Sequence, residues 1–256
     1  GAEDLAVALI AEYESAGGDY GGRPLLFFYA AYRALVRTKI ACLRADELAP
    51  GERGGSLAEA QRFADVGRRL AWRARRPLVI VICGGSATGK THLAERAADV
   101  SGLPHLSSDV VRKQLAGLAP AQRAPETEYS EDASLRTYHE LGARAAATPE
   151  GAIVDATFRR RAHRVAFAEA FGGTALFVEC LAPAVVVAER AERRERDPEH
   201  VSDATAAIAA RQRAEFEPLD EVPPGAHLPL RTDRPVDDLL AELEAWLDAR
   251  LARLGY

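Results

Sequence analysis

Methionine is absent from this sequence of 256 residues, and lysine occurs only at Lys39, Lys90 and Lys113. A chain without methionine that opens on Gly1 is expected not to start where its gene does. Cysteine is scarce as well. Cys42, Cys83 and Cys180 form no close metal-ligand pair, and two of them sit in apolar runs, which argues against a disulfide framework and for small core residues. No stretch reaches 18 uninterrupted apolar residues, and no charged-then-apolar leader opens the chain, so neither a membrane span nor export is indicated and the cytosol is the expected compartment. An excess of positive charge is missing too: Lys plus Arg is 33 against 38 Asp plus Glu, a net −5. That balance disfavours a surface that coats long nucleic acid, while leaving room for a local basic pocket. The six histidines lack ligand spacing, and no G-x-S-x-G or cysteine-nucleophile context occurs. With 48% apolar and 28% charged residues, the chain is neither disordered nor collagen-like.

What is present divides in two. Over residues 1–76 the pattern is helical: 3–15, ended by Gly17 and Gly18; 25–43, where Leu25, Tyr29, Tyr32, Val36, Ile40 and Leu43 recur every three or four positions; and 57–75, ended by Pro77. The tyrosines and leucines of this segment are expected to pack against the rest of the protein, and Pro50 to Gly55 is the best linker candidate. Over 77–256 short apolar runs alternate with helical stretches, and strands are expected at 78–83, 104–107, 152–155, 175–180 and 227–231. Strands separated by helices imply an α/β fold with a parallel sheet covered on both faces. In such sheets ligands bind beyond the C-terminal strand ends, so function is sought just after each strand.

Directly after the first strand comes Gly84-Gly85-Ser86-Ala87-Thr88-Gly89-Lys90-Thr91, which satisfies G-x-x-x-x-G-K-[ST] in full. The glycines permit a tight turn that aims successive N–H groups at phosphate oxygens, and the following helix adds its N-terminal partial charge. In this reading Lys90 reaches the β- and γ-phosphates of ATP, and the Thr91 hydroxyl ligates Mg²⁺. The use of one of only three lysines at this position strengthens the reading against an incidental glycine-rich turn.

After the second strand, Asp109 and Arg112 are three apart at a helix start, hence on one face. The carboxylate could take the proton of an acceptor hydroxyl and the arginine could orient an anionic acceptor; equally, the two could be an ordinary helix-start acid and its local partner. Asp155 closes the third strand and suits a water of the Mg²⁺ shell, with helix capping as the alternative. Thr157, and Arg160 in the run Phe158-Arg159-Arg160-Arg161 that follows it, fit an acceptor pocket or a solvated helix start. Beyond the fourth strand Arg190, Arg193 and Arg194 share a helix face, from which they could close over the transferring phosphoryl group, with 197–200 as a lid; the i, i+4 pairs there also suit a plain exposed helix. Thr232 and Asp233, after the last strand, lie where the purine should rest.

From about residue 76 to 251, the series C-G-G-S-A-T-G-K-T, S-S-D-V-V-R-K-Q-L-A-G-L, I-V-D-A-T-F-R-R-R and F-V-E-C-L-A-P resembles the bacterial P-loop kinases classed with AAA-family ATPases, which are similar to zeta toxins, polynucleotide 5′-kinases and gluconate kinases. The resemblance implies a five-stranded parallel sheet of order 2-3-1-4-5, Asp109 as general base, Arg112 as acceptor-binding residue and the arginines from 190 to 194 as lid cations. The run from Pro24 to Arg44 resembles the end of an aminoglycoside-phosphotransferase-like domain of the kind that precedes such kinases. That domain's H-x-D-x-x-x-x-N loop and downstream metal-binding Asp motif are missing, so antibiotic phosphorylation is not carried over.

The expected protein is an ATP- and Mg²⁺-dependent phosphotransferase acting on a hydroxyl of a small molecule or nucleotide, with Lys90, Asp109, Arg190 and Arg194 as catalytic groups and residues 84–91, Thr232 and Asp233 holding ATP. A regulatory ATPase module without an acceptor and a 5′-hydroxyl polynucleotide kinase are the alternatives. An upstream phosphotransferase-like domain is the implied partner.

Overall fold

The run Leu-Val-Ile-Val-Ile-Cys has no polar face, so it belongs in the middle of a sheet with both sides covered. In the computed structural model of the chain, which describes residues 2–18, 22–195 and 214–253, that run is β1 (Leu78–Cys83), the central strand. With β2 (His105–Ser107), β3 (Gly151–Asp155), β4 (Leu176–Leu181) and β5 (His227–Arg231) it forms an all-parallel sheet of order β2-β3-β1-β4-β5. The register sets Ile82 against Asp155 on one side and Cys83 against Glu179 on the other, so the ends of β3, β1 and β4 finish side by side. β2 begins one residue later than the sequence pattern suggests; the preceding Pro104 has no N–H, and joins the ladder only by its carbonyl, which accepts from Ile153 N at 2.9 Å.

Helix α4 (Lys90–Ser101) covers one face, with Leu93, Ala94 and Ala97 buried, and α9 (Val236–Arg253) packs beside it through Leu240 and Leu243. On the other face Tyr138 and Leu141 of α6 (Glu131–Ala146) and Phe167 of α7 (Arg161–Phe171) form one cluster with Val79, Val81 and Val154. Burying each such side chain contributes about 1.5–3 kcal/mol. Gly142 lets α6 and α7 meet, because a Cβ there would lie 2.4 Å from the Phe167 carbonyl oxygen. Between β2 and β3 run α5 (Ser108–Leu115), a 3-10 turn Glu126–Tyr129 and α6; after β4 comes α8 (Ala184–Glu195). The free thiols of Cys83 and Cys180 are buried among these layers, while Cys42 is exposed.

The chain divides into two compact units, Gly1–Arg76 and Pro77–Tyr256. In the first, α1 (Ala2–Ser15) precedes a helical hairpin of α2 (Arg23–Glu47) and α3 (Gly54–Ala74). One expectation fails here. The linker candidate is a 3-10 turn, Pro50–Glu52, leading straight into α3, and Arg53 Nε donates to the Leu48 carbonyl at 3.0 Å. The periodic large residues are not the ones the hairpin buries between its helices: Tyr29 and Tyr32 are 58% and 59% exposed, and Leu25, Ile40 and Leu43 are exposed too. Ala31, Ala34, Ala41 and Ala45 are buried instead, and the Gly67 position of α3 approaches Ala34 closely. Small side chains win because they let the two backbones come together along their length. Among the described residues, no helix is long and apolar enough to cross a membrane.

A phosphate-loop site at the strand tips

The loop after β1 takes its shape from backbone that few residues tolerate. Gly84 has φ +132, and a Cβ on it would stand 2.6 Å from the Cys180 carbonyl oxygen, so the loop can start flush against β4 only as glycine. Ala87 and Gly89 also have positive φ, and Gly89 enters α4 with no side chain capping the helix. The first-turn amides of α4 therefore keep their partial positive charge for a ligand. Lys90, largely buried, folds back to donate from Nζ to the Gly85 carbonyl at 2.9 Å, an oxygen that also accepts from Thr88 Oγ1 at 2.9 Å. The predicted phosphate-binding residues are thus gathered into one closed turn.

Thr91, one residue into the helix, donates from Oγ1 to Asp155 Oδ2 at 2.7 Å across the tip of β3. Asp155 is 5% exposed, and His105 Nε2 stands 3.8 Å from the same oxygen. A hydroxyl and a buried carboxylate are hard oxygen donors of the kind Mg²⁺ takes when phosphates supply the rest of its shell. Among the described residues no group of three or more His, Cys, Asp or Glu could hold a metal ion by itself.

On the β2 side, Asp109 lies exposed in the first turn of α5. Arg112 is 5% exposed, lies over the Tyr129 ring at 4.7 Å, and donates from Nη1 to the Glu128 carbonyl at 2.6 Å, yet its Nε has no partner. Thr157 is tied to Tyr138, the two hydroxyls lying 2.9 Å apart, and its carbonyl accepts from Gly84 N at 3.2 Å. Phe158 N also donates to Tyr138 Oη, at 3.2 Å, and Phe158 holds a φ of 48, a strained value for a bulky residue. Burial first of all pushes the Tyr138 hydroxyl above its ordinary pKa, with the nearby Asp109 charge adding to it and the bond to Thr157 opposing it. Beneath the tyrosine ring His163 is stacked at 4.5 Å, and burial lowers its pKa to about 4 against the opposing pull of Glu131. Arg160 pairs with Glu131 at 2.6 Å and Arg159 with Glu215 at 3.0 Å, so the basic run is partly neutralised.

Toward the β5 side a cavity of about 200 Å³ opens beside Gly89, lined by His92, Arg190, Arg193, Thr232 and Arg234. Arg190 bridges the loop to the β5 end, donating to the Thr88 carbonyl at 3.3 Å and the Thr232 carbonyl at 2.6 Å. Thr232 is fully buried, and its hydroxyl donates to the carbonyls of Thr88 and Leu181, so it pins the loop. Asp233 is instead exposed and pairs with Arg231 at 2.9 Å, a contact that first of all lowers its pKa. The Arg194 side chain and the segment 197–200 lie outside the described residues. Tyr138, His163 and Arg234 did not stand out in the sequence, since a tyrosine in mid-helix and one arginine among many have no local signature.

A phosphate loop after the central strand of a parallel 2-3-1-4-5 sheet, with a Thr–Asp pair at the neighbouring strand tip, defines the P-loop kinase fold. The chain belongs to the AAA_33 family, described as an AAA domain, whose profile matches residues 79–219. Uncharacterized proteins of Mycobacterium tuberculosis and Mycobacterium bovis are 31% identical over 222 residues, which is 82% of this chain and 43% of theirs. The chain thus spans less than half the length of these curated relatives. Among solved structures, a gluconokinase from Sinorhizobium meliloti superposes with a TM-score of 0.53 at 24% identity, covering 70% of this chain and 96% of its own. A shikimate kinase from Acinetobacter baumannii, in complex with shikimate, does so with a TM-score of 0.52 at 17% identity, covering 70% and 99%.

Proposed function

We propose that the protein is an ATP- and Mg²⁺-dependent phosphotransferase that moves the γ-phosphoryl group to a hydroxyl of a small molecule or nucleotide. The observation that carries this reading is the placement of Lys90, the Thr91–Asp155 pair and Asp109 at or just beyond the C-terminal ends of three adjacent strands, β1, β3 and β2. The loop amides and Lys90 hold the phosphates, and Lys90 exchanges the Gly85 carbonyl for phosphate oxygen when nucleotide enters. Thr91 and Asp155 would hold Mg²⁺, the latter through water, and the ion supplies positive charge beside the phosphates. The purine rests in the cavity lined by Arg190, Thr232 and Arg234, near Asp233.

Asp109 accepts the proton of the acceptor hydroxyl as its oxygen bonds to the γ-phosphorus and the bond to the bridging oxygen of ADP breaks. Arg112 receives an anionic group of the acceptor. A buried guanidinium with an orphan Nε, and no carboxylate within ion-pair distance among the described residues, supports that assignment. Thr157 and Arg160 border the acceptor. Arg190, with Arg194, screens charge on the moving phosphoryl group and must first leave the Thr88 and Thr232 carbonyls. The fold shared with a gluconokinase and a shikimate kinase supports a small-molecule acceptor.

We read 1–76 as the helical end of a phosphotransferase-like domain and 77–256 as the kinase domain, a division supported by the extra length of the relatives. Three free thiols support a cytosolic setting. The test is labelled transfer from ATP to pooled sugars, sugar acids, nucleosides and oligonucleotides. Lys90→Ala is expected to abolish transfer, and Asp109→Ala to retain MgATP binding by calorimetry while transfer falls about 10²–10⁴-fold. Normal transfer by the Asp109 variant overturns the base assignment.

A further inference from the structure

A second, larger cavity of about 790 Å³ lies between the ends of β4 and β5 and the segment 216–220, with Gly84, Gly85 and Ser86 of the loop as one wall. Its size is that of a small-molecule site. The facing wall is preformed. Arg164 of α7 is 2% exposed and commits all five of its N–H donors. Nη1 donates to the Phe158 and Glu217 carbonyls at 2.9 and 3.1 Å, Nη2 to the Pro218 carbonyl at 2.8 Å and to Glu221 Oε2 at 3.1 Å, and Nε to the other Glu221 oxygen. Glu217 N adds a bond to the Arg159 carbonyl at 2.8 Å. The segment is therefore held against the β3–α7 turn rather than loosely draped over the sheet.

The chemistry of the lining selects a charge. Leu181, Val187 and Phe216 make it apolar, and its ionisable residues are Glu179, Asp220, His227 and Arg231. Arg231 is bound twice to Asp233, at 3.3 and 2.9 Å, and His227 Nε2 donates to Glu179 Oε2 at 2.9 Å. Among the described lining residues this leaves Oε1 of Glu179 and the Asp220 carboxylate, while the arginine is already bound to Asp233. In a partly desolvated, apolar surround such carboxylates stabilise an ammonium group.

We propose that this cavity is a ligand site in its own right that takes an organic cation, a primary amine on an apolar body, with the ammonium on Glu179 and the body against Leu181, Val187 and Phe216. It is separate from the Asp109–Arg112 side, where an anionic group is received, and its occupancy is read without nucleotide, so it stands or falls independently of the phosphotransfer reading. The experiment titrates 2-phenylethylamine and the anion 3-phenylpropanoate into the full chain at pH 7 by ligand-observed NMR. The amine is expected to bind with a dissociation constant of about a millimolar and the anion to show no saturable binding. Glu179→Gln should weaken the amine roughly tenfold, the exposed Asp220→Asn should weaken it less, and Ala182→Trp, which fills the cavity, should abolish it, each variant keeping the parent's far-UV spectrum. The proposal is overturned by no amine binding, by the anion binding as tightly as the amine, or by amine affinity unchanged in folded Glu179→Gln and Ala182→Trp proteins.

Discussion

Single residues at this site act through what they deny as much as through what they bond. The glycine at position 84 excludes a Cβ from the Cys180 carbonyl, and Phe158 accepts a left-handed backbone so that its N–H can reach Tyr138. Both are positions where a strand tip is bent into a binding turn. The thiols nearby are inert because burial pushes Cys180 up to about 12 and Cys83 well above its ordinary value. Treatment of the native protein with a colorimetric thiol reagent at pH 8 should therefore modify Cys42 alone, and all three cysteines should react once the chain is unfolded in guanidinium. Rapid native reaction of a second thiol would show that the β1 and β4 tips open readily. The presence of Lys90 and Thr91 in the loop was legible because their spacing is the motif itself. That Lys90 rests on Gly85 and that Arg112 is buried with an orphan nitrogen was not, since both depend on neighbours distant in the chain.

At the scale of elements, strands were easier to read than helix faces. β1 falls where its apolar run suggests, because a strand buried on both sides needs an unbroken run and little else; the edge strand β5 also falls at its expected positions, although only Leu230 of it is buried. The helix α2 shows the opposite: its large residues recur with helical period, yet its alanines are what α3 covers. Periodicity reports that a helix exists, while the face that is buried depends on the partner's shape. The contact between α6 and α7 has the same logic, and it makes a test. Gly142→Ala places a Cβ against the Phe167 carbonyl, and should destabilise the protein by about 1–3 kcal/mol, seen as a lower denaturant midpoint at unchanged slope. A midpoint within error of the parent would mean that the two helices part at no cost.

For the whole molecule, acid sensitivity follows from groups held away from their ordinary ionisation. His163 is kept neutral by burial, with a folded pKa of about 4 against an ordinary 6.5, so the unfolded chain takes up its proton first and stability falls as the pH drops from 6.5 toward 4. Glu221 works in the neighbouring window: burial raises its pKa but the hydrogen bonds from Arg164 outweigh this, holding it below 4.5, so its contribution is present above that value and is lost as the pH falls through the lowered one. Thermal midpoints followed by circular dichroism should fall in both windows, and His163→Phe should remove the decline between pH 6.5 and 4; a decline of the parent's size in that variant would place its source elsewhere. The sequence by itself determined the class of fold and the position of the phosphate loop, because strand runs, punctuating glycines and the Gly-Lys-Thr turn are local patterns that need no partner to be recognised. Only the tertiary structure decided which charges are spent on one another and which are left for a ligand. Arg164 with Glu221, Arg231 with Asp233 and the unpaired nitrogen of Arg112 differ in burial and geometry, quantities that arise when distant segments pack and that no spacing along the chain encodes.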